Sequence, residues 1–321
     1  MSLRRRELLA AIGSVALLSL AARAQEAGRI YRLGIVIPAS RESIAGFFDE
    51  LRVAGFIEGQ NLAVTGFYSV PGDKNDEEIA AVVKAAPDVI LCGPETYARR
   101  LRAATQTIPL DCMSEDLVGE GFAASLAKPG SNITGVSLLT PELDGKRQEI
   151  LIEAVPGVKK IAALAYSAIT TKEHLDQLRQ SARARGVEMS VLWVAKADEI
   201  GPALDAAKAA GNEAINFLAN PLQVVSRSII LDAMSRVRLP AIYQWPETAE
   251  LGGLIGYGPI FDQVYRQRAR QIAKIFRGAT AAEVPVEQPA NFALAINLKT
   301  AKAIGHAIPE GLLLRADKVI E

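Results

Sequence analysis

Histidine and cysteine are scarce in this chain: two of each among 321 residues. Two cysteines are too few for a disulfide scaffold, so stability has to come from a packed core. Aromatic residues make up only 6% of a sequence that is 50% apolar, so that core rests on Ala, Val, Leu and Ile. Charge of one sign is also missing. Thirty-six Lys and Arg balance thirty-six Asp and Glu, which leaves no basic field for a polyanion, and nucleic acid is not an expected partner. His174 and His306 have only Asp176 and Glu310 at a ligand-like helical spacing, so no metal site is expected. A Ser-His-Asp enzyme would need one of these histidines at a strand end. Instead His174 falls in a polar helix and His306 in an Ala/Gly-rich tail, and both read as surface or boundary residues. Nucleotide loops are absent too. No G-x-x-x-x-G-K-[ST] occurs, the first strand turns through Pro38-Ala-Ser-Arg-Glu-Ser43 without glycine, and Gly256-Tyr-Gly258 has Phe261 where a third glycine would stand. The expectation is a protein that is not an enzyme and carries no cofactor.

The first segment reads as an address. Arg4-Arg5-Arg6 precedes an apolar run from Leu8 to Leu20 and then Ala22-Arg23-Ala24, the charged, apolar and small-residue order of a cleavable secretory signal peptide, residues 1–24. The run is shorter than the roughly 20 residues that span a bilayer. Arg5-Arg6-Glu7-Leu8-Leu9 resembles a twin-arginine signal, although any charged leader contains arginines, so the export route stays open. Cleavage after Ala24 removes four Arg and one Glu and leaves a mature chain of formal charge −3. No Cys follows the cleavage site for lipid attachment, and no later stretch of 18 apolar residues occurs. The expected destination is the periplasm, as a free monomer.

The remainder alternates strand and helix. Strands are predicted at 32–38, 62–70, 88–92 and 110–113, with helices at 43–55, 77–86, 97–105 and 117–127 between and after them. After the turn Lys128-Pro-Gly-Ser-Asn132 a second series follows. Its strands are 161–166, 187–194, 214–218, 241–244 and 254–257, and its helices 172–185, 198–210, 224–237 and 261–277. Near-continuous apolar strands such as Val89-Ile-Leu91 suit parallel sheets covered on both faces. The fold class is therefore α/β with two doubly wound lobes. Cys92 and Cys112 fall near the ends of neighbouring strands, where either a disulfide or two buried thiols would be compatible, the thiols fitting parallel geometry better. Asn132-Ile-Thr134 fits a glycosylation sequon and reads equally as a turn before a strand.

Ordered motifs extend along residues 31–321. They include Gly55-Phe-Ile-Glu-Gly-Gln-Asn61, Ala124-Ser-Leu-Ala-Lys-Pro-Gly-Ser-Asn-Ile-Thr-Gly-Val-Ser137, Glu142-Leu-Asp-Gly-Lys-Arg147 and Val155-Pro-Gly-Val158. Further on come Leu239-Pro-Ala-Ile-Tyr243, Gly252-Gly-Leu-Ile-Gly-Tyr-Gly-Pro259, Pro285-Val-Glu-Gln-Pro289 and Asn297-Leu-Lys-Thr-Ala-Lys302. In these segments the chain resembles the ABC transporter substrate-binding protein family, which includes bacterial receptors for tryptophan and related aromatic solutes. The resemblance implies a type I periplasmic binding protein with three crossings, a hinge and a ligand cleft, and an ABC permease with its ATPase as partners. Lobe 1 would comprise residues 25–138 plus 258–288, and lobe 2 residues 139–257 plus 289–321. An alternative role is presentation of a bound solute to a membrane signalling receptor.

Ligands of open α/β sheets sit beyond the carboxyl ends of strands. That rule nominates Ser40, Arg41, Glu42, Pro94, Glu95, Thr96, Ser114, Glu115 and Asp116 in the first lobe, and Ser167, Asn220, Tyr243 and Trp245 in the second, with Ser137 and Tyr257 near the crossings. Carboxylates at helix starts also offset the helix dipole, and Ser, Thr and Asn there also cap. Together the acids could meet an ammonium, the hydroxyls and helix N-termini a carboxylate, and the aromatics a flat apolar body, which suits an amino acid or an aromatic carboxylic acid. Relatives commonly read Asp-Pro after a strand where this chain has Asn220-Pro221 or Asp116-Leu117, and Tyr-Gly-Pro-Asp where it has Tyr257-Gly-Pro-Ile260.

Overall fold

The computed structural model describes residues 28–68, 75–138 and 140–321, and the expected signal peptide lies outside them. The first lobe is built from β1 (Tyr31–Ile37), α1 (Ala45–Val53), β2 (Leu62–Tyr68), α2 (Asn75–Lys84), β3 (Val89–Cys92), α3 (Glu95–Ala104), β4 (Leu110–Ser114) and β5 (Ile133–Ser137). Its five strands are all parallel, in the order β2-β1-β3-β4-β5. The second lobe begins with α4 (Thr140–Ala154), β6 (Lys160–Tyr166), α5 (Lys172–Ala184), β7 (Glu188–Val194), α6 (Ile200–Ala209) and β8 (Ala214–Phe217). It continues with α7 (Leu222–Val225), α8 (Arg227–Val237), β9 (Ala241–Tyr243), α9 (Glu247–Glu250) and β10 (Ile255–Pro259).

Helix α10 (Phe261–Phe276) then leaves the second sheet for the first lobe. Its apolar stripe, with Tyr265, Ile272 and Phe276, joins Phe47 and Leu51 of α1 and Leu33 and Ile35 of β1 in one core cluster. The following segment lies along β5: Thr134 Oγ1 donates to the Val284 carbonyl at 2.7 Å, and Glu287 N to the Gly135 carbonyl at 2.9 Å. The chain finally returns to the second sheet as β11 (Phe292–Asn297), α11 (Leu298–Ile304), α12 (Glu310–Leu313) and β12 (Lys318–Ile320). That sheet is ordered β12-β11-β10-β9-β8-β6-β7, and β10 and β11 are antiparallel. Gly258 and Pro259 pair with Ala293 and Phe292, so the switch between sheets falls at Ile260 rather than at the expected residue 258.

Alternation along each strand feeds two cores per sheet. On β6, Ile161, Ala163 and Ala165 face one cluster while Ala162 and Leu164 face the other. Two readings of helix need correction. Residues 117–127 form turns, not a helix: Asp116 Oδ1 accepts from Val118 N and Gly119 N, and Gly121 at φ +70° ends the single turn so started. Helix α4 was not predicted at all. Its Asp144, Arg147 and Gln148 are buried beside Ile150, Leu151 and Ala154, so no continuous apolar stripe marks its inner face.

Cys92 and Cys112 stand opposite each other on β3 and β4 as buried free thiols. Asn132 is the turn before β5, its Nδ2 donating to the Ile108 carbonyl at 2.8 Å. Among the described residues no helix is long and apolar enough to cross a membrane.

Candidate functional site

Parallel strands of both lobes end toward a shared gap, and a small fifth cluster of Val136, Leu138, Trp245 and Val264 bridges it. An inner cavity of about 30 Å³ lies there, with Pro94, Met113 and Glu115 on the first-lobe side and Asn220, Gln244 and Trp245 on the second. An outer chamber of about 190 Å³ continues from it past Val224, Trp245 and Phe261, which line both, to Ser43, Arg227 and Glu247. Trp245 meets Phe261 edge to face, the centroids 4.9 Å apart at 87°. The Trp245 loop is seated by backbone proximity. A Cβ on Gly256 would lie 2.5 Å from the Trp245 carbonyl, and one on Gly258 would lie 2.1 Å from that of Gln244. The Gly-Tyr-Gly run of β10 therefore serves close packing against residues 244–246.

The polar groups divide into satisfied and unsatisfied ones. Glu95, the first residue of α3, is buried, and its Oε1 accepts from Ser114 Oγ and Glu115 N, each at 2.8 Å. Gln223 joins two second-lobe loops: its Nε2 donates to the Leu218 carbonyl at 2.8 Å and its Oε1 accepts from Gln244 N at 3.0 Å. Glu115 Oε2, Asn220 Oδ1, Trp245 Nε1 and Thr96 Oγ1, by contrast, are buried without a hydrogen-bond partner. Burial pushes the Glu115 carboxyl well above the usual carboxylate range; Glu95 and Asp144 add to the shift, and Arg147 and a hydrogen bond from Gln244 oppose it.

Behind the second-lobe wall lies a buried ion cluster. Arg147 Nη2 donates to Asp144 Oδ1 at 2.5 Å and its Nη1 to the Tyr257 carbonyl at 3.1 Å. Asp144 Oδ1 also accepts from Ala219 N at 3.1 Å, and its Oδ2 lies 2.9 Å from His174 Nε2. The cluster thus holds the loop that presents Asn220. His174 is a boundary residue as expected, with an unforeseen partner.

Residues 34–320 of the chain match the family of ABC transporter substrate binding proteins. The chain belongs to that family. A tyrosine-binding protein of Clostridioides difficile is 23% identical over 272 residues, covering 83% of this binding protein and 77% of that one. Among solved structures, the ABC domain from Streptococcus pneumoniae in complex with L-Trp has a TM-score of 0.79 at 22% identity, covering 91% of this chain and all of that one. A conserved domain protein of Vibrio cholerae gives 0.80 at 23% identity with the same coverage. A ligand-free, open substrate-binding protein with adhesive properties from Clostridium difficile gives 0.63 at 20% identity, covering 91% and 99%. The family consists of substrate-binding proteins, not enzymes.

Of the residues nominated for this binding protein, Pro94, Glu115, Asn220 and Trp245 line the inner cavity. Glu95 and Ser114 stand behind it, bonded to each other. Several others are placed elsewhere. Tyr243 is 2% exposed and stacks on Phe217 inside the second-lobe core, as the last residue of β9, whereas Gln244 and Trp245 lie in the loop beyond the strand. Tyr257 packs on the other core cluster of that lobe, and only its carbonyl meets Arg147. Ser137 Oγ accepts from Leu117 N at 2.9 Å, and Asp116 is exposed and engaged in its own turn. Ser40 Oγ accepts from Ser43 N at 3.2 Å, Arg41 pairs with Glu58, and Glu42 is exposed, its carboxyl lowered first by its backbone and then by Ser40. Ser167 is exposed at the end of β6. Gln223, Gln244, Arg227 and Phe261 were missed. Gln244 could have been found, since it lies between two nominated residues at a strand end.

Proposed function

We propose that this protein is the periplasmic receptor of an ABC importer, capturing an amino acid or an aromatic carboxylic acid between its lobes and delivering it to a permease. The observation that carries this reading is Trp245. It is 5% exposed, belongs to the cluster that spans the two lobes and walls both chambers, so a flat ligand body would bind against it only when the lobes approach. The three crossings, after β5, at Ile260 and near residue 289, would serve as the hinge, with lobe 1 as 25–138 plus 260–288 and lobe 2 as 139–259 plus 289–321. A ligand touching both lobes stabilises the closed form, which is the state a permease would recognise. The L-Trp complex and the tyrosine-binding relative support an aromatic amino acid as ligand. The signal peptide expected at 1–24 supports export to the periplasm.

Thermal unfolding of the ligand-stripped protein against amino acids, aromatic acids and sugars tests this. A ligand at 100 times its dissociation constant adds about 2.7 kcal/mol. We expect stabilisation by aromatic amino or carboxylic acids that is lost in Trp245→Ala. Stabilisation by sugars alone would sink the aromatic reading.

A further inference from the structure

A cavity of about 430 Å³, against about 190 Å³ for the outer chamber of the cleft, lies wholly within the second lobe. That is the size range of sites that hold small organic ligands. It runs between the C-terminal part of α8 and α11, and β9 supplies Ala241 and Tyr243 to its wall. Fixed contacts border it. Arg238 Nη2 donates across to the Ala303 carbonyl at 2.5 Å, and one turn earlier on α11 Thr300 Oγ1 donates to the Gly252 carbonyl at 2.9 Å.

The apolar lining selects the body of an occupant. Leu231, Met234, Leu239, Leu254 and Ile304 make the wall aliphatic. Its one aromatic residue is already engaged: the Tyr243 ring stacks on Phe217 with centroids 4.8 Å apart, and the Gly253 backbone comes so close that a Cβ there would lie 2.8 Å from Tyr243 Cε2. A flat ring would therefore find little to stack on, in contrast to the cleft, where Trp245 walls both chambers. An alkyl chain suits this surface better.

The polar lining selects the head group. Arg238 is the one charged residue among those lining the cavity, and no acidic side chain pairs with it among the described residues. Its backbone, at φ +54° and ψ +39°, occupies the left-handed conformation in which a helix ordinarily ends on glycine, yet an arginine stands there and reaches across the cavity. Tyr243 is 2% exposed, and burial alone raises its pKa, with no hydrogen bond acting on the hydroxyl. A buried hydroxyl without a partner is costly. Guanidinium and hydroxyl are both donors, and a carboxylate, which only accepts, complements the pair.

We propose that this cavity is a second ligand site, separate from the cleft, and that it takes an aliphatic carboxylate whose oxygens accept from Arg238 and the Tyr243 hydroxyl while its chain lies along the Leu and Met wall. None of its walls belongs to the first lobe, so occupancy does not depend on closure. Arg238 is exposed and sets the preferred sign of charge; the apolar wall supplies most of the affinity.

Titration calorimetry on the purified protein with octanoate, hexanoate and octylamine tests the proposal. We expect octanoate to bind about tenfold more tightly than hexanoate, because two further methylenes are buried, and at least tenfold more tightly than octylamine, whose charge opposes Arg238. Arg238→Gly, which suits the left-handed backbone, and Ala303→Trp, which fills the cavity from an exposed position on α11, should each weaken octanoate at least fivefold; Tyr243→Phe should weaken it about threefold. None of these three residues lines the cleft chambers, so octanoate held in the cleft would bind all three variants as it binds the parent. Unchanged affinity in the variants, equal binding of octylamine, or no binding of octanoate overturns the proposal, and each leaves the aromatic reading of the cleft to its own test.

Discussion

Arg268 in the first lobe and Arg147 in the second are both fully buried, and each is paired with a buried aspartate, but the two carboxyls behave in opposite ways. Arg268 Nε donates to Asp111 Oδ1 at 2.7 Å, and its Nη2 is spent on the Cys92 and Asp111 carbonyls, each at 2.6 Å. Asp111 Oδ2 and Arg268 Nη1 are left without partners. Burial then prevails over the arginine, and the Asp111 carboxyl is pushed up to about 6. Asp144 is equally buried, yet the Arg147 charge and the His174 and Arg147 hydrogen bonds outweigh the burial penalty and hold its carboxyl below the usual value. The lesson is that one arginine does not settle a buried carboxylate: the number of donors on its oxygens does. The locations differ to match. The Asp111 pair joins α10 to β4 within one lobe, whereas the Asp144 cluster fixes the loop carrying Asn220 at the cleft.

Removing each arginine tests this contrast most severely. Arg268→Leu leaves Asp111 without any charged partner and should cost about 3–5 kcal/mol in urea unfolding. Arg147→Leu should cost less, because Asp144 keeps His174 and Ala219 N, but it should also weaken ligand binding by loosening the Asn220 loop. Equal stability losses with unchanged binding would show that the additional donors do not matter.

Acid separates the two carboxyls next. Asp111 has a folded-state pKa above its unfolded value, so the folded state binds its proton first, and this group's contribution to stability improves as pH falls from about 6 toward 4. Asp144 has the opposite sign: its contribution is present above the unfolded pKa and is lost as pH falls below it. In urea unfolding between pH 7 and 4, Asp111→Asn should differ from the parent by a pH-dependent amount on the order of 2 kcal/mol across the window. A pH-independent difference would place the Asp111 pKa outside it.

Much of this architecture is legible in the sequence because parallel strands are apolar and their helices carry one apolar stripe. Val89–Cys92 and Phe261–Phe276 could be read in this way. Helix α4 could not, because the polar residues Asp144, Arg147 and Gln148 occupy the first half of its buried side and leave only Ile150, Leu151 and Ala154 to mark it. Residues 117–127 were misread for the converse reason: apolar Leu117 and Phe122 suggested a helix that Gly119 and Gly121 interrupt. At the cleft, the rule of strand carboxyl ends found Pro94, Glu115, Asn220 and Trp245, since position after a strand is a local property. It overreached at Tyr243, where a one-residue phase difference decides between core and cleft. Phe261, two residues beyond the end of β10 as Trp245 is beyond β9, satisfies the same rule without having been nominated, whereas Arg227 begins a helix that reaches the cleft only through the tertiary arrangement, and no local signal marks it.

The smallest effect belongs to an exposed counterpart of the two buried pairs. Arg41 pairs with Glu58 where both side chains are 43% exposed, and its guanidinium lies 3.9 Å from the centroid of the Phe48 ring. Solvent screens that attraction, and exposed ion pairs contribute about 0–1 kcal/mol, so Arg41→Ala should change stability by no more than about 1 kcal/mol in urea unfolding. Because Arg41 is directed to Glu58 and Phe48 and neither chamber includes it, ligand affinity should stay within twofold of the parent. Ser43, three residues into the same turn region, does line the outer chamber, so the loop itself is at the cleft mouth. A large loss of affinity in Arg41→Ala would therefore mean that the guanidinium swings from Glu58 to the ligand on binding, and would make the exposed pair a third, ligand-switched counterpart of the buried ones.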